Sequence, residues 1–197
     1  LLAGVLDPDR LDYLSRDAFF CGVPYGIQDI DFVISEMRRS DDGRVAITEK
    51  GTLAVESVLF SRYLMYRSVY WHRTVRIATA MLMKAVMIGL QDGEIFPSDL
   101  YGLTDEGFVR LLDSKRHPAF SLVDSVRARR LHQQVFRTRF DPKRNEHLDI
   151  ERPSGRVRVE NRIREAVSSE LGQEVFEHEI IIDVPESNSF ATDLLVQ

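Results

Sequence analysis

One stretch in the first half of the chain places arginine and tyrosine side chains at helical spacing. Residues 52–90 contain no proline and a single glycine near their end, which predicts one helix of about 60 Å. The four residues Arg62, Tyr66, Tyr70 and Arg73 lie at i, i+4, i+8 and i+11, so they project from one face of this helix. Guanidinium groups and phenols on one face suit a ligand that carries phosphate, a sugar and a ring. A solvated helix face with half-buried tyrosines is the alternative explanation.

A second set of polar residues lies near the start of the chain. Residues 6–22 are predicted to form a helix, because Asp7 can cap it, Pro8 suits its first turn and Gly22 can end it. The polar face of this helix consists of Asp9, Tyr13 and Asp17 at i, i+4 and i+8, with Arg10 beside the first of them. The simpler explanation of the two aspartates is that they are solvated charges favoured by the helix dipole.

The two segments together resemble a known enzyme family. Residues 7–17 match the pattern D-x-D-[RK]-x-D-Y-x-x-R-D and are followed by Gly-Val-Pro-Tyr-Gly at 22–26. Residues 61–73 read Ser-Arg-Tyr-Leu-Met-Tyr-Arg-Ser-Val-Tyr-Trp-His-Arg. In order and distance, these motifs resemble the HD-domain deoxynucleoside triphosphate triphosphohydrolases. That family includes bacterial HD phosphohydrolases and the vertebrate enzyme that joins a SAM domain to an HD domain. The resemblance covers roughly residues 1–90 well and the remainder loosely.

The resemblance implies a reaction and a cofactor. Water attacks the α-phosphorus of a deoxynucleoside triphosphate (dNTP), which releases deoxynucleoside and inorganic triphosphate. In the family, a divalent metal ion held by an H…HD…D set polarises the phosphate and activates the water. Asp9 matches the last aspartate of that set and would be a hard oxygen ligand. The metal could be Mg, Mn, Fe, Ni or Zn.

The resemblance also implies the substrate contacts. Arg10 stands where the family has Lys or Arg against phosphate, and Arg62 matches a triphosphate-binding arginine. Tyr13 and Tyr70 match residues that pack on the sugar, where a ring close to C2′ would reject a 2′-hydroxyl. Asp17 matches the acceptor of the 3′-hydroxyl. The implied specificity is therefore for deoxynucleotides.

Four further positions resemble the family less closely or concern regulation. Tyr66 belongs to the implied substrate site, although the vertebrate enzyme has histidine there. Lys50, His72 and Arg73 stand where that enzyme binds an activating nucleotide. Ala54 replaces the neighbouring asparagine, which is a departure from the same allosteric site.

Composition excludes several other classes of function. The chain has 197 residues and a formal net charge of −5, so it has no global basic field for nucleic acid. It contains no glycine-rich phosphate loop, no CxxC, no HExxH and no G-x-S-x-G motif. No uninterrupted apolar run reaches the length of a membrane span. The single cysteine, Cys21, favours a reducing compartment and is expected to be a buried thiol. We therefore expect a cytoplasmic protein.

The rest of the chain predicts a mostly α fold in two parts. An HD-domain-like helical core is expected over residues 1–114 and a smaller α+β region over 115–197. Helices are predicted at 29–38, 103–114, 119–140 and 157–171, strands at 44–48 and 178–184, and a loop at 141–155. The arginines of the helix predicted at 119–140, at 127, 129, 130, 137 and 139, are interpreted as a solvated face rather than a nucleic-acid site.

One departure from the family affects the whole interpretation. The chain contains no His-Asp dipeptide, so the other metal ligands and the catalytic histidines of the family are not in this sequence. We expect the chain to be the downstream part of a longer enzyme, which assembles as a dimer or tetramer as the family does. The alternatives are a phosphohydrolase for another nucleotide or phosphoester, and a nucleotide-binding regulatory or degenerate module without turnover.

Overall fold

The computed structural model describes residues 6–41 and 43–184, together with the backbone of residues 195–196. The protein is mostly α-helical, which confirms the predicted fold class. The chain divides into two compact units. Unit 1 comprises Leu1–His72 and Ser187–Gln197, and unit 2 comprises Arg73–Glu186. The predicted division of roles at residue 114 stays a prediction.

The first helix of unit 1 forms where its end signals predict it. Helix α1 spans Pro8–Cys21, and the side chain of Asp7 caps it by accepting a hydrogen bond from the Arg10 amide at 2.7 Å. Gly22 ends the helix in the left-handed conformation, with φ of +64°. Leu11, Leu14 and Ala18 are buried on its inner face. Cys21 is exposed in the last turn, so the expectation of a buried thiol is wrong.

A short helix and a small sheet follow in unit 1. Helix α2 spans Ile30–Ser35, strand β1 spans Met37–Arg39 and strand β2 spans Val45–Ile47. The two strands pair antiparallel in the register Met37↔Ile47, and β3 at Leu195–Val196 pairs parallel with β2. The prediction that this helix continues to residue 38 is therefore wrong, because α2 ends at Ser35. The backbone of residues 37–39 forms its hydrogen bonds with β2 and not within a helix.

The predicted 39-residue helix of positions 52–90 is not continuous. Helix α3 spans Thr52–Met65 and is followed by a π-helical turn at Tyr66–Tyr70. In this turn the Trp71 amide donates to the Tyr66 carbonyl at 2.7 Å, one residue further back than in an α-helix. Helix α4 begins only at Arg73 and runs to Gln91. The prediction of one continuous helix is wrong here, because the π-turn shifts the hydrogen-bond register and His72 is not helical.

Unit 2 contains α4 and the four helices that follow it in the described chain. Helix α5 spans Asp105–Ser114, α6 spans Ser121–Arg127, α7 spans Asn145–Glu151 and α8 spans Pro153–Leu171. Thr104 caps α5 as predicted, by accepting from the Gly107 amide at 3.1 Å. The core of the unit lies between α4, α5 and α6, and it consists of the buried side chains of Met81, Ala85, Ile95, Leu112, Phe120, Leu122 and Val123.

Three predicted elements of unit 2 are wrong. The helix expected at 119–140 ends at Arg127, and Arg129 follows in the left-handed conformation with φ of +56°. The loop expected at 141–155 contains α7 and the first turn of α8. The strand expected at 178–184 is a 3-10 turn at Glu177–Glu179 followed by irregular chain. Among the described residues, the amides of 178–184 do not pair with a strand.

Helix α4 is long and apolar enough, by length and composition, to cross a membrane. No other helix of the described chain meets that test. Met81 and Ala85 of α4 are fully buried in the core of unit 2, and Lys84 is buried there too. The expectations of no membrane span and of a cytoplasmic protein stay predictions.

Candidate functional site

The tyrosines predicted from the two motifs form one cluster in unit 1. The ring centroids of Tyr13 and Tyr70 are 6.1 Å apart and the rings meet edge to face. The Tyr66 and Tyr70 centroids are 5.1 Å apart, again edge to face. Such edge-to-face contacts are the favoured geometry of aromatic pairs. Helix α1 and the π-turn after α3, although far apart in sequence, therefore contribute to one aromatic wall.

Charged groups surround this wall. The Tyr70 hydroxyl donates a hydrogen bond of 2.7 Å to the Asp17 carboxylate. The guanidinium of Arg62 lies over the ring of Tyr66, 5.5 Å from its centroid. Tyr13 is close enough to Arg62 and Arg10 for both positive charges to act on its phenol. The described structure thus brings together six predicted residues: Arg10, Tyr13, Asp17, Arg62, Tyr66 and Tyr70.

Tyr13 and Tyr70 of this wall stay neutral at physiological pH. Burial, together with a hydrogen bond to Tyr66, raises the pKa of Tyr13 to about 12. Burial and the hydrogen bond to Asp17 raise the pKa of Tyr70 above the usual range of a phenol. Each hydroxyl therefore keeps its proton and can act as a hydrogen-bond donor.

The local backbone explains how these side chains are held. The π-turn at Tyr66–Tyr70 advances the chain by one residue within one turn, and π-turns inside helices recur at functional sites. The Ser68 hydroxyl supports the turn by donating to the Leu64 carbonyl at 2.5 Å. On the other side, Gly26 packs directly on α1: a Cβ at this position would lie 2.2 Å from the Cβ of Ala18. The loop after α1 can follow this path only with glycine at that position.

Arg10 is held by the start of its own helix. Its Nε lies 3.1 Å from Oδ2 of Asp7, the same carboxylate that caps α1. The Arg10 side chain is 31% exposed, so part of the guanidinium still faces solvent. Its fork of donors can contact a phosphate while one edge stays on Asp7.

Asp9, the predicted metal ligand, lies in α1 outside any group of side chains that could hold a metal ion in the described chain. Asp9 is exposed in the first turn of α1. Across residues 6–41 and 43–184, no group of three or more His, Cys, Asp or Glu side chains could hold a metal ion. One carboxylate does not make a metal centre, so these residues do not fit the implied metal by themselves.

The three positions predicted for an activating nucleotide lie apart from the wall in the secondary structure. Lys50 is exposed in the 3-10 turn Glu49–Gly51 that precedes α3. His72 is exposed between the π-turn and α4, and Arg73 is the exposed first residue of α4. Because the π-turn and the non-helical His72 interrupt the helix, the prediction of one continuous helical face from Arg62 to Arg73 is wrong. Arg73 belongs to unit 2.

Unit 2 contains a buried ionic network that was not predicted from the sequence. The Lys84 ammonium, 2% exposed, lies 2.9 Å from a carboxylate oxygen of Glu160 and 3.2 Å from one of Glu177. The second carboxylate oxygen of Glu160 accepts a hydrogen bond from the Ile182 amide at 2.7 Å. The network joins α4, α8 and the segment after α8. Only a lysine within an otherwise apolar helix face could have suggested it.

Comparison with known proteins identifies relatives over part of their length. An uncharacterized protein of Methanocaldococcus jannaschii is 35% identical over 57% of this chain and 26% of its own length. The uncharacterized protein YwfO of Bacillus subtilis is 38% identical over 58% of this chain and 29% of its own. The chain therefore spans less than a third of these relatives.

A solved structure agrees with this relationship. The crystal structure of a hypothetical protein from Aquifex aeolicus matches with a TM-score of 0.52 and 34% identity, over 63% of this chain and 33% of that one. The model of the HD associated region matches residues 28–195 of this chain, which is most of its length. The protein therefore belongs to the HD associated region family.

Proposed function

We propose that this chain forms the nucleoside- and triphosphate-binding part of an HD-domain phosphohydrolase that hydrolyses dNTPs to deoxynucleoside and triphosphate. The observation that supports the proposal is the cluster of Tyr13, Tyr70, Asp17 and Arg62 on α1, α3 and the π-turn. Membership of the HD associated region family supports the class of protein.

In the proposed site the two rings and the carboxylate recognise the sugar. Asp17 receives one hydrogen bond from Tyr70 and retains acceptor capacity for the 3′-hydroxyl of a deoxyribose. The packed rings of Tyr13 and Tyr70 form a stiff apolar surface. A ribose would place its 2′-hydroxyl against that surface, where the hydroxyl would lose water without gaining a partner. The expected preference is for deoxynucleotides.

The proposed triphosphate contacts are Arg62 and Arg10. Arg62 is oriented by its position over the Tyr66 ring, which limits the conformations available to its long side chain. Arg10 is oriented by Asp7. Planar guanidinium groups that are already oriented lose less entropy on binding a phosphate. Asp9 would supply one carboxylate to a metal whose remaining ligands come from outside these residues.

The second candidate is a nucleotide-binding regulatory module without turnover. It is favoured by the same observation that weakens the first: among the described residues, none form a metal-binding group. Under this hypothesis the tyrosine and arginine cluster still binds dNTPs. Lys50, His72 and Arg73 remain the proposed contacts of an activating nucleotide under either hypothesis. Homo-oligomerisation likewise remains a proposal.

The two candidates are separated by product analysis on the full-length protein. Each dNTP and each matched NTP is incubated with Mg²⁺ or Mn²⁺, and triphosphate and deoxynucleoside are quantified. Asp9→Ala is compared with Asp31→Ala, a matched control because Asp31 is an exposed carboxylate in the first turn of α2, outside both motifs. We expect triphosphate release from dNTPs in the wild type and in Asp31→Ala, and none in Asp9→Ala.

Other outcomes would overturn the proposal in distinct ways. Binding of dNTPs without any turnover supports the regulatory module and refutes the enzyme. Equal turnover of Asp9→Ala and the wild type refutes the role of Asp9. Neither binding nor turnover refutes both candidates.

A further inference from the structure

A basic segment of unit 2 is largely exposed, and of its arginines only Arg127 and Arg144 pair with carboxylates among the described residues. Residues 127–144, the basic segment, contain six arginines and one lysine against one aspartate, a net charge of +6 in a chain whose total is −5. The remainder of the chain therefore carries −11. Within the described part of the chain, Arg129, Arg130, Arg137 and Arg139 are exposed and form no ion pair.

Large apolar side chains are interleaved with these arginines. Val135 is 95% exposed and Phe136 is 78% exposed, and Phe140 is also exposed. Residues 131–140 form neither helix nor strand. Exposed aromatic and aliphatic groups beside arginine are the composition of protein interfaces, whose cores favour arginine over lysine. A solvated helix face does not explain this segment, because the helix is absent.

A second surface of unit 2 has the complementary charge. At the C-terminal end of α8, an open depression of about 540 Å³ is lined in part by Glu165, Glu174 and Gly172. Arg164 also lines it. Glu165, Glu170 and Glu174 are exposed and have no ion pair in the described chain. The carbonyl end of α8 adds the negative end of its helix dipole.

Apolar groups accompany the acidic residues there as well. Leu171 is exposed in the last turn of α8, and Phe176 is exposed just beyond it. This acidic end of α8, defined by Glu165, Glu170, Leu171 and Glu174, therefore offers carboxylates for guanidinium groups and apolar surface for phenylalanine. Among the described residues, nothing covers either surface.

We propose that the basic segment of one copy docks on the acidic end of α8 of a second copy. Arg137 and Arg139 face the glutamates of the partner copy, and Phe136 covers the apolar surface at the depression. In a two-fold symmetric dimer the contact occurs twice. This interface does not depend on the proposed function.

Charge reversal on each surface tests the proposal in the full-length protein. Sedimentation equilibrium gives the dissociation constant of self-association for the wild type, for Arg137→Glu with Arg139→Glu, and for Glu165→Arg with Glu174→Arg. Because like charges then face each other, we expect each pair to weaken association at least about tenfold. A fourth variant with all four changes restores the attraction and should return to within about threefold of the wild type.

Three controls test whether the effect on association comes from the two surfaces and from their charges. Arg110→Glu changes an equally exposed arginine of α5 and should leave the association unchanged. Raising the salt concentration from about 0.05 M to about 0.5 M should weaken association of the wild type, because it screens exposed charges. Circular dichroism melting curves check that each variant is folded.

Three results would overturn the proposal. Association unaffected by either pair excludes both surfaces. In a second case, only the arginine pair weakens association, and the variant with all four changes does not restore it. The basic segment then contacts something other than α8. A wild-type protein that stays monomeric, but binds a fluorescent single-stranded oligonucleotide through Arg137 and Arg139, makes this segment a nucleic-acid surface instead.

Discussion

Replacing Tyr70 with phenylalanine removes one hydroxyl and keeps the ring that packs against its neighbours. In the wild type this hydroxyl donates a hydrogen bond of 2.7 Å to the Asp17 carboxylate. A hydrogen bond to a charged group contributes about 1.5–3 kcal/mol. The Asp17 side chain is 33% exposed, so water replaces part of the lost bond. We therefore expect the free energy of unfolding to fall by about 1 kcal/mol in urea denaturation.

The same substitution tests the role of Asp17 in the site. If Asp17 accepts a hydrogen bond from the 3′-hydroxyl, loss of the Tyr70 hydrogen bond leaves the Asp17 carboxylate less well oriented, and dNTPs then bind less well. A loss of about 1 kcal/mol corresponds to a roughly fivefold increase in KM. We expect kcat to change less, because the interaction is present before and during the reaction. Steady-state kinetics of triphosphate release on the full-length protein measures both constants.

Tyr63→Phe is the matched control for this experiment. The Tyr63 hydroxyl accepts a hydrogen bond of 2.9 Å from Arg67 at the exposed side of α3, away from Asp17. Its removal should leave KM within experimental error of the wild type. The reasoning is refuted if Tyr70→Phe lowers stability as expected but leaves KM unchanged. In that case Asp17 does not need its anchor to bind substrate, or does not bind it.

Three further predictions concern the stability of the two units. Lys84→Met leaves the buried Glu160 carboxylate without its cation and should lower the free energy of unfolding by about 3–5 kcal/mol in urea denaturation. Gly26→Ala places a Cβ 2.2 Å from a carbon of α1, and we expect a loss of about 1–3 kcal/mol by the same measurement. Burial lowers the pKa of His132 and of His178, so both stabilise the folded protein above about pH 6.5. That contribution is lost as the pH falls through their folded pKa values. At pH values below about 6.5 the melting temperature should therefore decrease, and it should decrease less steeply in the variant with both His132→Gln and His178→Gln.

Each of these predictions has its own test of failure. Arg110→Met breaks only an exposed pair and should change stability by less than about 0.5 kcal/mol; a similar loss in both variants would refute the buried network. Gly107→Ala in α5 meets ordinary contacts of 3.4 Å and should be neutral or stabilising. Identical acid slopes with and without the histidines would refute their titration as the cause.

The sequence predicted what local signals specify. Asp7, Pro8 and Gly22 each act within one turn of α1, so the ends of that helix follow from the residues themselves. The polar face of α1 follows from helical periodicity, whereas the predicted face from Arg62 to Arg73 is interrupted by the π-turn. Their meeting, with Tyr13 on Tyr70, was expected only through the family resemblance and is present in the structure.

Tertiary contacts decided the elements that the sequence failed to predict. Residues 178–184 have β-branched side chains, but the Ile182 amide donates to Glu160 instead of to a neighbouring strand. The break after Tyr70 depends on a shift of one hydrogen bond, from Trp71 to Tyr66, that no propensity scale records. Helix α6 ends at Arg127 although no proline or glycine follows it directly. The chain after it is irregular, for which the local sequence gives no signal.

The most direct test of the proposed site is its discrimination between deoxyribose and ribose. Triphosphate release from dATP and from ATP is measured on the full-length protein, for the wild type and for Tyr13→Ala. We expect the wild type to favour dATP, and the variant to lose about tenfold or more of that preference, because removing the ring opens space beside C2′. A wild type that hydrolyses ATP as well as dATP, or a variant with the wild-type ratio, would contradict the assignment of this cluster as the sugar-binding wall.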